Sequence, residues 1–172
     1  MRQNMQIIQI LTITTLLALS AFSQTSLKAG DVAPIFTSAS LDGNYFDLEQ
    51  KRGSVVVLTF WSTKCEICRS EIPRLNQFTS RYDGKKVVFL ALTTESEGRV
   101  APFLRSNPFK FTILPNSFGV VVQYADRSKG GNLDMGFPAF YIIDQGGKVA
   151  YRTSGYDKIG PLAAAIDQLL AN

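Results

Sequence analysis

Cys65 and Cys68 are the whole thiol content of a 172-residue chain that contains no histidine. The missing imidazole excludes serine-histidine and cysteine-histidine catalysis together with most zinc and iron sites. Two sulfurs are also too few for a four-thiolate metal centre or a multi-disulfide framework. What a C-x-x-C pair can do is exchange: one thiolate attacks a disulfide, and the other, one helical turn on, attacks the mixed disulfide that results. A bridge kept only for stability is the weaker reading, because so short a loop removes little unfolded-chain entropy compared with loops of about fifteen residues or more. Copper(I), which tolerates few soft ligands, is the metal such a pair could still hold.

For exchange, the sulfurs need a setting that ionises one of them. The run Val55 to Trp61 is almost continuously apolar, as in strands buried on both faces. From Glu66 to Tyr82, Ile72, Leu75, Phe78 and Tyr82 recur at helical spacing, and Asp83-Gly84 supplies a stop. The cysteines therefore fall where a central strand gives way to a helix. Unpaired amides and the positive end of the helix dipole favour a thiolate at Cys65, the expected nucleophile, with Cys68 as the resolving thiol. Glu71, three residues after Cys68, shares its helix face. It is either a proton-transfer group for that thiol or a first-turn acid interacting with the helix dipole.

The rest of the chain reads as one α/β domain. Residues 24–34 form a loose lead-in ending at Pro34, and Ile35 to Leu41 and Tyr45 to Leu48 flank Asp42-Gly43 as an N-terminal β-hairpin. Val87 to Leu92 is a second buried strand, and Glu97 to Ser106 is a helix ended near Asn107-Pro108. Phe111 to Leu114 suits a short strand and Ser117 to Tyr124 a short helix, although Val120-Val121-Val122 would also suit a strand. Asp126 to Gly136 is a polar loop. Phe140 to Ile143 and Val149 to Thr153 flank Gly146-Gly147 as a terminal hairpin, followed by an amphipathic helix over Ile159 to Leu170.

Before the domain, Arg2 precedes a short apolar run, Ile7 to Phe22, interrupted by Gln9, three threonines and Ser20, with small residues near Ser23. This is the pattern of a secretory signal over residues 1–23, and the run is short and interrupted for a spanning helix of about 20 apolar residues. No cysteine follows it for lipid attachment. Loss of Arg2 would leave 17 basic residues of the 18 against 14 acidic ones, a mild excess without basic runs. Nucleic-acid binding is excluded on that ground. With 45% hydrophobic residues and 12 phenylalanines, the chain has the makings of a real core.

Taken with Glu71 and Pro73 after the cysteines, and with Gly136-Phe137-Pro138-Ala139-Phe140-Tyr141-Ile142-Ile143-Asp144 followed by Gly147, the Val55 to Trp61 strand before C-x-x-C resembles the TlpA/ResA-like branch of the thioredoxin superfamily. The resemblance spans about residues 30 to 171. It implies a thioredoxin-like domain over residues 35–172, with a central mixed β-sheet flanked by helices. It further implies an exported, periplasmic, monomeric thiol-disulfide oxidoreductase of the kind often linked to cytochrome c maturation. Such an enzyme exchanges disulfides with protein clients and draws on a membrane or periplasmic electron donor, without a cofactor or metal.

By position, the resemblance makes Cys65, Cys68 and Glu71 the catalytic set and favours proton transfer for Glu71. It also makes Trp61, Phe137 and Pro138 the client-binding set, with Pro138 a cis-proline whose preceding backbone accepts a client strand. Pro73 corresponds to a helix-kinking proline, and Thr59 stands where thioredoxin itself carries a buried aspartate. Lys64 and Ile67 depart from the tryptophan and proline that often precede the two cysteines; Lys64 is either a thiolate-stabilising cation or an ordinary surface lysine. The expected couple is a reductant or isomerase-type couple rather than a strong oxidant, since Glu66 and Glu71 oppose a negative sulfur and no histidine assists it. A peroxiredoxin-like peroxidase is the rival on the same fold, but its proline-and-threonine frame is replaced by Leu58 and Ser62. The copper(I)-binding module is the second rival.

Overall fold

A computed structural model describes residues 26–128 and 130–171; the expected signal segment over residues 1–23 lies outside the described residues. Its centre is a five-stranded mixed sheet. The strands β3 (Val55–Phe60), β4 (Val87–Leu92), β5 (Thr112–Leu114), β8 (Ala139–Ile143) and β9 (Val149–Ser154) stand in the order β5-β4-β3-β8-β9. β3, β4 and β5 are parallel, while β8 runs antiparallel to β3 and β9 antiparallel to β8. All six residues of β3 are buried, which is why that stretch lacks the polar alternation of a one-sided strand.

Period-two alternation sends the two halves of β3 into two cores. On one face Val56, Leu58 and Phe60 pack with Phe36, Phe46 and Leu48 from the hairpin β1 (Thr37–Ala39) and β2 (Tyr45–Asp47) and its flanks. Val120, Val121 and Tyr124 of α3 (Phe118–Tyr124) join the same cluster. On the other face Val55, Val57 and Trp61 pack with Cys68, Leu75 and Phe78 of α1 (Glu66–Thr79), Val100 of α2 (Glu97–Ser106), and Leu162 and Ile166 of α4 (Ile159–Leu170). This is the expected α/β architecture with a thioredoxin-like central sheet.

Local differences from the expected elements have local causes. The α-helical hydrogen bonding of α1 ends at Thr79, and Ser80–Tyr82 continues as a 3-10 turn that keeps Tyr82 in the core. The polar stretch after α3 is not wholly irregular: β6 (Asp126–Arg127) pairs antiparallel with β7 (Leu133–Asp134), too short a ladder to leave a periodic trace. The lead-in is tied down rather than loose, because Gly30 and Ala33 donate to the Val149 and Gly147 carbonyls and the Val149 amide donates to Asp31. Across the next strand pair, the Leu41 amide donates to the Ile113 carbonyl at 2.9 Å.

Candidate active site

Three parallel strands end on the same side of the sheet, and the loops after them gather there, the position in open α/β sheets where ligands bind. Cys65 is the N-cap of α1, extended at φ −84° and ψ 106°, and its sulfur accepts the Cys68 amide at 3.1 Å. One of the orphan donors of the helix start thus points at the sulfur expected to be the nucleophile. Cys65 and Cys68 form a disulfide with a Cα–Cα distance of 5.2 Å. Cys65 is half-buried and Cys68 buried, so a client reaches the first sulfur before the second.

The loop carrying Cys65 is held from β4. The Glu95 carboxylate, just past that strand, accepts the Thr63 amide and the Thr63 hydroxyl, each at 2.7 Å, and the Thr93 hydroxyl at 3.3 Å. Burial raises the proton affinity of Glu95, but the hydrogen bonds from Thr63, Thr93 and Ser62 outweigh it and hold the carboxyl below its ordinary value. Sequence reasoning missed Glu95. Its only available signal was an acid directly after a parallel strand, where site loops collect.

Glu71 is buried, with 1% of its side chain exposed. Glu71 has a charge partner that its sequence context did not mark: Arg74, one turn later, places a guanidinium nitrogen 3.1 Å from Oε1, and the Asp157 amide donates to Oε2 at 3.3 Å. Arg74 also donates to the Asp157 carboxylate at 2.6 Å, and its guanidinium lies over the Tyr156 ring at 5.7 Å. Hydrogen bonding to Asp157 raises the Arg74 proton affinity, so the guanidinium is a permanent cation here.

Trp61 is placed beneath the active-site loop, with 1% exposure, against Phe103 and Phe109 at centroid distances of 5.5 and 5.7 Å. Where the resemblance implies a client contact, the structure gives this side chain a supporting position; its indole N–H is buried without a hydrogen-bond partner among the described residues. Phe137 is half-buried and packs against both cores, and the Phe137-Pro138 peptide is cis. Pro138 is buried and its carbonyl accepts the Gly155 amide at 2.8 Å. The second core brings Trp61 and Cys68 together, with Cys65 and Phe137 packed on its edge. Thr59 faces that same core by its register, 1% exposed, with a hydroxyl that has no hydrogen-bond partner among the described residues. Pro73 lies inside α1, where it withholds one backbone donor. Among the described residues no cluster of three or more metal-ligating side chains occurs, and no helix is long and apolar enough to cross a membrane.

Comparison with known proteins agrees with this geometry. Residues 29–152 match the model of the AhpC/TSA family. Thioredoxin-like protein YneN of Bacillus subtilis is 30% identical over 129 residues, covering 73% of this chain and 71% of that protein. Thiol-disulfide oxidoreductase ResA of Bacillus cereus is 29% identical over 131 residues, covering 75% and 71%. A crystal structure described as a putative thiol:disulfide interchange protein DsbE from Chlorobium tepidum superposes with a TM-score of 0.73 at 30% identity, covering 84% of this chain and 99% of that one. The chain belongs to the AhpC/TSA family, among its ResA-like thiol-disulfide oxidoreductases of thioredoxin fold.

Proposed function

We propose that this thiol-disulfide oxidoreductase is exported, acts as a monomer, and reduces disulfides in protein clients. The observation that carries the division of labour is the contrast between the sulfurs: Cys65 is half-exposed at a helix N-cap and accepts an amide, while Cys68 is buried behind it. The Cys65 thiolate attacks a client disulfide, forming a Cys65–client bond as the client S–S bond breaks and one client thiolate leaves. Glu71 takes the Cys68 proton, and the Cys68 thiolate attacks the Cys65 sulfur, closing the protein disulfide and releasing the second client thiolate. Two electrons pass to the client, and a membrane or periplasmic dithiol donor returns two to the pair. With the Pro138 carbonyl engaged by Gly155, an extended client pairs with the Gly136-Phe137 backbone.

Export rests on the signal-like start of the sequence, and the reducing direction on the buried Glu71 carboxylate one helical turn after Cys68. Expressed in the exporting cell, Cys68→Ser accumulates a covalent mixed disulfide with its client, because attack proceeds and release is blocked. Cys65→Ser traps far less. Equal trapping by both variants would overturn the assigned roles, and a reduction potential more positive than about −150 mV would overturn the reducing direction.

A further inference from the structure

The sheet has an empty rung at the end away from the cysteines. β4 is six residues long, but β5 pairs only with its second half, beginning with Thr112 opposite Leu90. The Val55 amide donates to the Lys86 carbonyl and the Trp61 amide to the Leu92 carbonyl, whereas the Thr93 amide donates to the Leu114 carbonyl of β5. Even-numbered residues along β4 therefore bond toward β3 and odd-numbered ones toward β5. The Val87 amide turns back to the Lys85 carbonyl at 2.8 Å, but the Val87 carbonyl and the Phe89 amide have no partner among the described residues. Lys110 would fill this rung if β5 began two residues earlier, and α1 holds it away. Asn76 accepts the Lys110 amide at 2.8 Å and donates to the Pro108 carbonyl at 2.6 Å. The space left is a cavity of about 450 Å³ between the edge of β4 and Thr112, whose charged groups are Lys85 and Lys110 against Asp83.

We propose that this rung captures the extended C-terminus of another protein as a short parallel strand, whose last residue donates its amide to the Val87 carbonyl and whose carboxylate accepts the Phe89 amide. Parallel addition fits because a single residue opposite Val88 satisfies both free groups, as in the rungs above it. An antiparallel residue opposite Phe89 would also need the Phe89 carbonyl, which the parallel ladder commits to Thr112. The incoming chain has to end at this rung, because β5 occupies the same line from Thr112 onward. The terminal charge that such an ending brings is matched by two lysines against one acid. Main-chain bonds supply the affinity, as in other cases of strand addition to a sheet edge. The rung lies at the start of β3 and β4, whereas the cysteines follow the end of β3, so a partner is held by its tail while the sulfurs stay open. The site is independent of the direction in which the pair passes electrons.

The experiment titrates the oxidised full-length chain with a fluorescein-labelled hexapeptide of alternating threonine and valine, free of cysteine and ending in a carboxylate. Anisotropy reads the affinity, and amide NMR spectra read the place. The peptide half-saturates the protein at or below about 1 mM and moves the Phe89 amide resonance. Amidating its C-terminus weakens binding about tenfold, the loss of one charge-assisted hydrogen bond. Methylating the nitrogen of its last residue weakens binding about fivefold, because the donor to the Val87 carbonyl is gone. Lys110→Gln weakens the free acid about threefold and leaves the amidated peptide unaffected, with an unchanged thermal midpoint because Lys110 is exposed. Equal binding of acid and amide, no saturable binding, or binding that leaves the Phe89 amide unmoved would each overturn the proposal. Protection of the Phe89 amide that rises with protein concentration alone would assign the carboxylate to a second copy of this chain and overturn the separate partner.

Discussion

The Glu95 carboxylate holds Thr63 twice, by its amide and by its hydroxyl, across 32 residues of sequence and two residues before Cys65. Glu95→Gln keeps one acceptor oxygen and loses the charge, so it costs about 1 kcal/mol in stability near neutral pH, less than for a fully buried charge-assisted pair. The Glu95 carboxyl lies below its ordinary value of 4.5 in the folded chain. Its contribution is therefore complete above the unfolded value and fades as pH falls through the folded one. Urea denaturation of wild type and variant at neutral pH and in acid checks both parts: the difference is present in the first and vanishes in the second.

Thr59→Val removes a buried hydroxyl that has no hydrogen-bond partner among the described residues and leaves a side chain of similar shape. Loss of an unsatisfied polar group from a core raises stability, here by about 1 kcal/mol. The same urea midpoints read it. A drop in stability would show that the hydroxyl is satisfied in solution by a bound water.

Gly147→Ala is destabilising for two separable reasons. The residue has φ 81°, and an added Cβ would lie 0.8 Å from a guanidinium nitrogen of Arg52. That guanidinium donates to the Gly146 carbonyl and to Glu49, contacts it would have to abandon. The backbone conformation alone costs about 1–2 kcal/mol for alanine. Arg52→Ala therefore restores only part of the loss, and a double-mutant cycle by thermal unfolding measures how much.

The elements that chain physics makes continuous were legible in the sequence. β3 is buried throughout and β4 only over Leu90 to Leu92, and α1, α2 and α4 begin and end within a few residues of their expected bounds, because burial and helical period leave dense local signals. The C-x-x-C pair was equally plain, since two thiols in a histidine-free chain leave few other chemistries. What escaped were contacts between residues far apart in sequence. Arg74 and Asp157 are 83 residues apart, and neither belongs to a pattern that pairs it with the other. Glu95 was one acid among 14. Trp61 closes the buried run that the sequence showed, and its side chain lies under the loop because the strand ends at Phe60 and the next side chain still points into the second core.

The tied-down lead-in has a consequence for the molecule in a crowded compartment. β9 and β5 are the two outer strands of the sheet, and outer strands are templates for adding a strand from another molecule. Residues 30–33 bond to the start of β9, Leu41 bonds to Ile113 of β5, and the hairpin between them lies across one face of the sheet. One continuous stretch of chain thus occupies the start of one outer strand and the middle of the other. On the client pairing proposed above, an extended client then meets the Gly136-Phe137 backbone rather than these outer strands.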